Sequence, residues 1–92
     1  MDKKFFDAQQ LFDRNDLAGS LQILNEAILD EKADKQLFGL RARIRFKLQD
    51  WGGAMNDYTS VLELEPDNQE AKTGLEMTRN ILGYFNPDLF NP

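Results

Sequence analysis

The chain has 92 residues, a net charge of −5 at pH 7 and neither His nor Cys, which excludes disulfides, thiolate chemistry and the commonest metal ligand and general base. Hydrophobic residues make up 41% and charged residues 29%, a balance that fits one small globular domain rather than a disordered segment. The acidic surplus argues against nucleic-acid binding, which needs a basic surface, and no stretch approaches the ~20 apolar residues of a membrane span.

Residues 1–7 contain no long apolar run and no small-residue cleavage site, so no signal peptide is expected and a cytoplasmic location is the default. The charge is sorted along the chain. Residues 35–48 hold Lys35, Arg41, Arg43, Arg45 and Lys47 with no acid, whereas residues 49–68 hold five acids and no base.

Phe5, Ala8, Leu11 and Phe12 share one face of a helix expected over about 2–13. Asn15 and Asp16 form a turn in which Asp16 is the N-cap of a second helix, about 17–29. Leu17, Leu21, Leu24, Ala27 and Ile28 line its inner side. After a polar connection at 30–34, a third helix over 35–48 carries the stripe Leu37, Leu40, Ile44 and Leu48.

Asp50 caps a fourth helix with Trp51, Ala54, Met55, Tyr58, Val61 and Leu62 inward. Gly52 and Gly53 weaken that helix by about 1 kcal/mol each, a cost that a close helix crossing would offset. Pro66 ends the fourth helix, and Asp67 with Glu70 has the spacing of a capping box for the fifth. Ala71, Gly74, Leu75, Thr78, Ile81 and Leu82 face one way there, and the helix is expected to end near Gly83.

The same slots recur after 34 residues: Asn15-Asp16-Leu17, Ser20, Leu24 and Ile28 overlie Gln49-Asp50-Trp51, Ala54, Tyr58 and Leu62. That period belongs to stacked helical hairpins, which mostly bind other proteins. The expected fold is all-α, with five helices and no strand. The units are 1–34 and 35–68, followed by a capping helix at 69–83 and an apolar tail at 84–92.

These residues resemble the tetratricopeptide repeat family over nearly the whole chain. In the second unit Phe38, Arg41-Ala42, Asp50-Trp51, Ala54, Tyr58, Leu62, Leu64 and Pro66 carry the resemblance. The first unit is looser, with Lys4 where an aromatic is usual and Lys32 in place of the proline. Arg45 departs from the pattern in the second unit, because that slot usually holds a buried aromatic. The resemblance implies a right-handed stack of antiparallel hairpins, a solvating cap helix, and a scaffold whose first helices line a concave groove for a peptide or helix.

Carried over position by position, the resemblance puts Phe5, Gln9, Phe12 and Asp13 in that groove. Leu40, Arg43, Phe46 and Lys47 follow from the third helix, and Thr73, Met77 and Asn80 from the fifth. One subfamily clamps the carboxylate of chaperone tails. Phe5, Gln9, Leu40, Glu70 and Gly74 stand at the clamp positions, none with the required residue, so that ligand is excluded.

Phe5, Phe12 and Phe46 either anchor a partner's apolar side chains or pack between neighbouring helices. Arg43 and Lys47 face the groove and would select acidic groups. Alternatively the cations are neutralised internally, with Asp7 beside Arg41, Asp13 beside Lys47 and Arg43 left free. Glu63, Glu65 and Asp67 read as a solvated helix end rather than a metal site.

No phosphate loop, nucleophile elbow or catalytic carboxylate pair stands out, so no enzyme, cofactor or metal is expected. The tail, with Tyr84, Phe85, Leu89 and Phe90, would cover the last helix or part of the groove, or would dock into a second copy. The expected function is therefore a scaffold that binds a peptide or helix, with Arg43 and Lys47 favouring an acidic one. The alternative is a self-assembling module whose groove is filled by its own tail or by that of a homodimer partner.

Overall fold

A computed structural model describes residues 3–30 and 34–85. They form five α-helices, α1 (Lys3–Asp13), α2 (Leu17–Asp30), α3 (Lys35–Lys47), α4 (Trp51–Leu64) and α5 (Gln69–Phe85), with no strand among the described residues. The chain is all-α, as its periodicity indicates. Helix α5 runs past Gly83, which keeps a negative φ and so does not supply the left-handed cap that would stop it. The tail expected over 84–92 lies outside the described residues, apart from the backbone of Tyr84 and Phe85 that completes α5.

The helix ends are built from short polar side chains and two left-handed residues. Asn15 has φ 64° and Gln49 has φ 62°. In each turn the left-handed residue's N–H reaches back three residues, Asn15 to Phe12 O at 2.9 Å and Gln49 to Phe46 O at 3.0 Å. The next N–H reaches back five, Asp16 to Leu11 O and Asp50 to Arg45 O, both at 2.8 Å. This is the Schellman arrangement, which satisfies carbonyls the helix leaves open. The 34-residue period therefore holds hydrogen bond for hydrogen bond.

Each turn passes directly into an N-cap. Asp16 Oδ1 accepts from Gly19 N–H and Asp50 Oδ1 from Gly53 N–H, both at 3.0 Å. A Cβ on Gly19 would lie 2.6 Å from Asp16 Oδ2, and one on Gly53 would overlap both the Asp50 carboxylate and Arg45 Cδ. Gly19 thus makes room for its capping carboxylate, and Gly53 for both its carboxylate and the Arg45 side chain that crosses from α3. Gly52 has open space around it. Asp34 caps α3 through Gln36 N–H at 2.7 Å.

The cap of α5 is Asn68, whose Oδ1 accepts from Ala71 N–H at 2.8 Å. This corrects the expected Asp67–Glu70 box. Asp67 is solvated and reaches only Lys72 Nζ at 3.7 Å, while Glu70 turns to Arg43 instead.

Two apolar clusters share α3 as a common wall. Ala8, Leu24, Ala27, Leu37, Leu40 and Ile44 form the first, with Phe5, Phe12, Leu17 and Leu21 against it. Ala42, Ala54, Tyr58, Val61, Ala71 and Leu75 form the second, with Phe38, Phe46, Met55 and Leu62 against it. Small residues set the crossings. Ser20 Oγ donates to Ala8 O at 2.7 Å, and Ala42 and Ala54 stand one period on, fully buried. At the last crossing Gly74 lies against the Tyr58 ring, where any Cβ would overlap it. Leu48, expected on the buried stripe of α3, is 49% exposed, because the chain leaves the helix at that residue.

The least expected core residue is charged. Asp57 is 2% exposed and accepts from Arg41 at both oxygens, from Nε and Nη2 at 2.9 Å each, and from Arg45 Nη1 at 3.0 Å. Arg41 Nη1 also donates to Asn25 Oδ1 at 3.0 Å, tying α2 to the α3–α4 pair. The expected partner of Arg41, Asp7, is replaced by Asp57. The Arg45 slot holds a cation because a carboxylate faces it from α4.

Candidate functional site

The first helices of the two hairpins and α5 border a groove with two adjoining hollows. One, of about 320 Å³, is lined by Phe5 and Gln9 of α1, by Lys35, Gly39, Leu40 and Arg43 of α3, and by Asn68 and Ala71 at the start of α5. The other, of about 350 Å³, is lined by Phe46, Gln69, Thr73, Gly74 and Met77. Tyr58 of α4 and Glu70 of α5 line both. Tyr58 reaches the groove floor from behind because Gly74 presents no side chain in its way.

The expected groove residues divide between these hollows. Phe5, Gln9, Leu40 and Arg43 belong to the first, Phe46, Thr73 and Met77 to the second. Phe12 lines neither hollow. It packs on the first core, with Lys47 Nζ 4.7 Å from its ring centroid. Asn80 is exposed on α5 and also lines neither. Phe46 is braced by Trp51, edge-on with centroids 5.1 Å apart, which fixes one wall of the second hollow.

The electrostatics differ from expectation at Arg43 and Lys47. Arg43, expected to stay free, forms a two-pronged pair with Glu70, Nη2 to Oε2 at 2.6 Å and Nε to Oε1. Lys47 stands over Phe12 rather than beside Asp13, a cation–π contact. Asp13 instead accepts from Gln9 Nε2 at 2.9 Å. Lys35 Nζ lies 3.3 Å from Glu65 Oε2. The positive run on α3 is thus largely answered within the chain, although by other acids than those expected.

The same contacts shift the titrating groups. The Arg43 hydrogen bonds hold the Glu70 carboxyl below its ordinary value, and Glu70 raises Arg43 in return. Asn68, then Lys35, lowers Glu65. Burial, reinforced by the Glu70 charge, raises the Tyr58 phenol, so the groove floor is a neutral hydroxyl at physiological pH. Among the described residues no cluster of three or more acidic, His or Cys side chains is arranged to hold a metal ion.

Sequence reasoning missed Tyr58, Lys35, Gln36, Glu65 and Asn68 as groove residues, and met Glu70 only as a clamp position without the required residue. Tyr58 carried a usable signal, since Gly74 in a helix interior implies a large neighbour pressed against it. Glu70 carried one too, as an acid outside the cation-rich segment and near a helix start. The chain matches no protein-family model, no curated protein and no solved structure. No described helix is long and apolar enough to cross a membrane.

Proposed function

We propose that this protein is a non-enzymatic, cytoplasmic interaction scaffold of the tetratricopeptide type, which seats a short segment of a partner protein in the groove bordered by α1, α3 and α5. The observation that carries this reading is the continuity of the two hollows across Tyr58 and Glu70. Together they make a trough whose walls are first-helix side chains and α5. Its first hollow is mostly polar, lined by Gln9, Lys35, Arg43, Glu65 and Asn68, and its second is apolar, a pairing of orienting polar groups with an apolar anchor site that suits a peptide.

The chemistry of the trough sets the kind of segment it takes. Arg43 is engaged by Glu70 and Lys35 by Glu65, so the lining offers little net charge to an acidic ligand. Phe46, Met77 and the Tyr58 ring offer apolar contact instead. The fitting partner is a segment without net charge that sets one or two large apolar side chains in the second hollow and polar groups along the first, rather than the acidic peptide that the cations alone suggest.

Selection from a random peptide library, followed by chemical-shift mapping, tests this. Selected peptides should move the resonances of Met77, Thr73 and Tyr58, and Met77→Lys should weaken them about tenfold or more, as loss of a central anchor does. Peptides whose binding ignores Met77→Lys and Gln9→Lys alike would sink the reading.

A further inference from the structure

The groove has an apolar exit that nothing on α5 itself fills. Met77 is 48% exposed at the edge of the second hollow. The other exposed side chains of α5 are polar, among them Lys72, Glu76, Arg79 and Asn80. Ile81 and Leu82 in its last turns are half-buried, so the open apolar hollow that an apolar segment leaving α5 finds is the one lined by Met77 and Phe46.

Such a segment follows directly in the sequence. Residues 86–92 read Asn-Pro-Asp-Leu-Phe-Asn-Pro, with two large apolar side chains and one charge. Asn before Pro favours a turn and disfavours continued helix, so the chain has a local reason to reverse after Phe85. The distances agree. Roughly 12 Å of helix separates Met77 from Phe85, at ~1.5 Å per residue. An extended path from Phe85 to Phe90 covers roughly 16 Å, at ~3.3 Å per residue. Phe90 can therefore come within reach of the Met77 end of the second hollow.

We propose that residues 86–92 are the resident occupant of the second hollow, with Phe90 seated between Met77 and Phe46. An external peptide then binds by displacing them. This rests on the groove reading above and supplies its regulation. Tethering holds the segment at an effective concentration on the order of millimolar, so even a weak contact occupies the site. Removing it should tighten an external peptide by a few-fold to about tenfold, with the gain confined to peptides that use the Met77 end.

The test compares the full chain, the F90A variant and a chain ending at Phe85, all by methyl and aromatic NMR. Expected are a nuclear Overhauser contact from the Phe90 ring to the Met77 methyl that persists on dilution, and a Met77 shift lost equally in F90A and in the shortened chain. A synthetic peptide of residues 86–92 should restore that shift in the shortened chain. Because F90A alters a single side chain beyond the last described helical residue, it keeps the test valid should the shortened chain fold poorly.

An identical Met77 environment in the full chain and F90A would overturn the proposal. A contact that fades on dilution would overturn it as well, by making a second copy the occupant. The groove reading is judged separately, by whether library-selected peptides move Thr73 and Tyr58 in F90A. If they do while the tail leaves no mark, the groove stands and its self-occupation falls.

Discussion

Gln49 occupies a left-handed backbone position at φ 62° with a side chain that gains nothing there, whereas its counterpart Asn15 belongs to a residue type that tolerates the region. The position is needed because the Schellman hydrogen bonds to Phe46 and Arg45 carbonyls require that reversal. Gly would remove the Cβ penalty and give back part of the gain in unfolded-chain entropy. Gln49→Gly should therefore stabilise the protein by about 0.5–1 kcal/mol, read as a higher urea midpoint at unchanged m-value. A loss of stability would mean that Gln49 makes a contact the backbone argument ignores.

At the scale of elements, the α3–α4 hairpin is organised around Asp57, a buried carboxylate shared by Arg41 and Arg45. Through Arg41 the same network reaches Asn25 on α2, so one charged centre sets the register of three helices. A buried pair of this kind need not be more stable than an apolar replacement, but breaking one side of it is costly. Asp57→Asn leaves two partly buried guanidinium groups short of their counter-ion and should cost about 3 kcal/mol, measured by urea unfolding. A loss below about 1 kcal/mol would show that water satisfies both arginines and that the network contributes little.

For the whole molecule, pH is the informative variable, because the inter-element pairs titrate together. Glu70 and Glu65 have folded pKa values below the ordinary 4.5. The stability they contribute is present above that value and is lost as pH falls through their lowered ones. Tyr58 is shifted the other way, above its ordinary 10.0. Its share is present below that value and is lost as pH rises through the raised one. Glu70→Gln should flatten the acid limb by less than about 1 kcal/mol, since the Arg43–Glu70 pair is about half exposed and screened. A pH scan of urea midpoints for the two proteins checks this, and superimposable acid limbs would remove Glu70 from the account.

Periodicity and turn chemistry by themselves determined the five helices and the equivalence of positions 34 apart. Asp16 and Asp50 were legible as caps, and Ala8, Ala54 and Ala71 as core, whereas Ala42 lay off the stripe expected for α3. These depend on residues near in sequence, on the helical repeat and on the short reach of a capping carboxylate. What only the tertiary structure decided was pairing between distant residues. Arg41 and Arg45 turn to Asp57 and Arg43 to Glu70, while Asn68 takes the cap offered to Asp67 and Tyr58 fills the space left by Gly74. A charged side chain is long and its attraction is weakly directional, so several acids compete for each cation. Only the packed positions of the backbones choose among them.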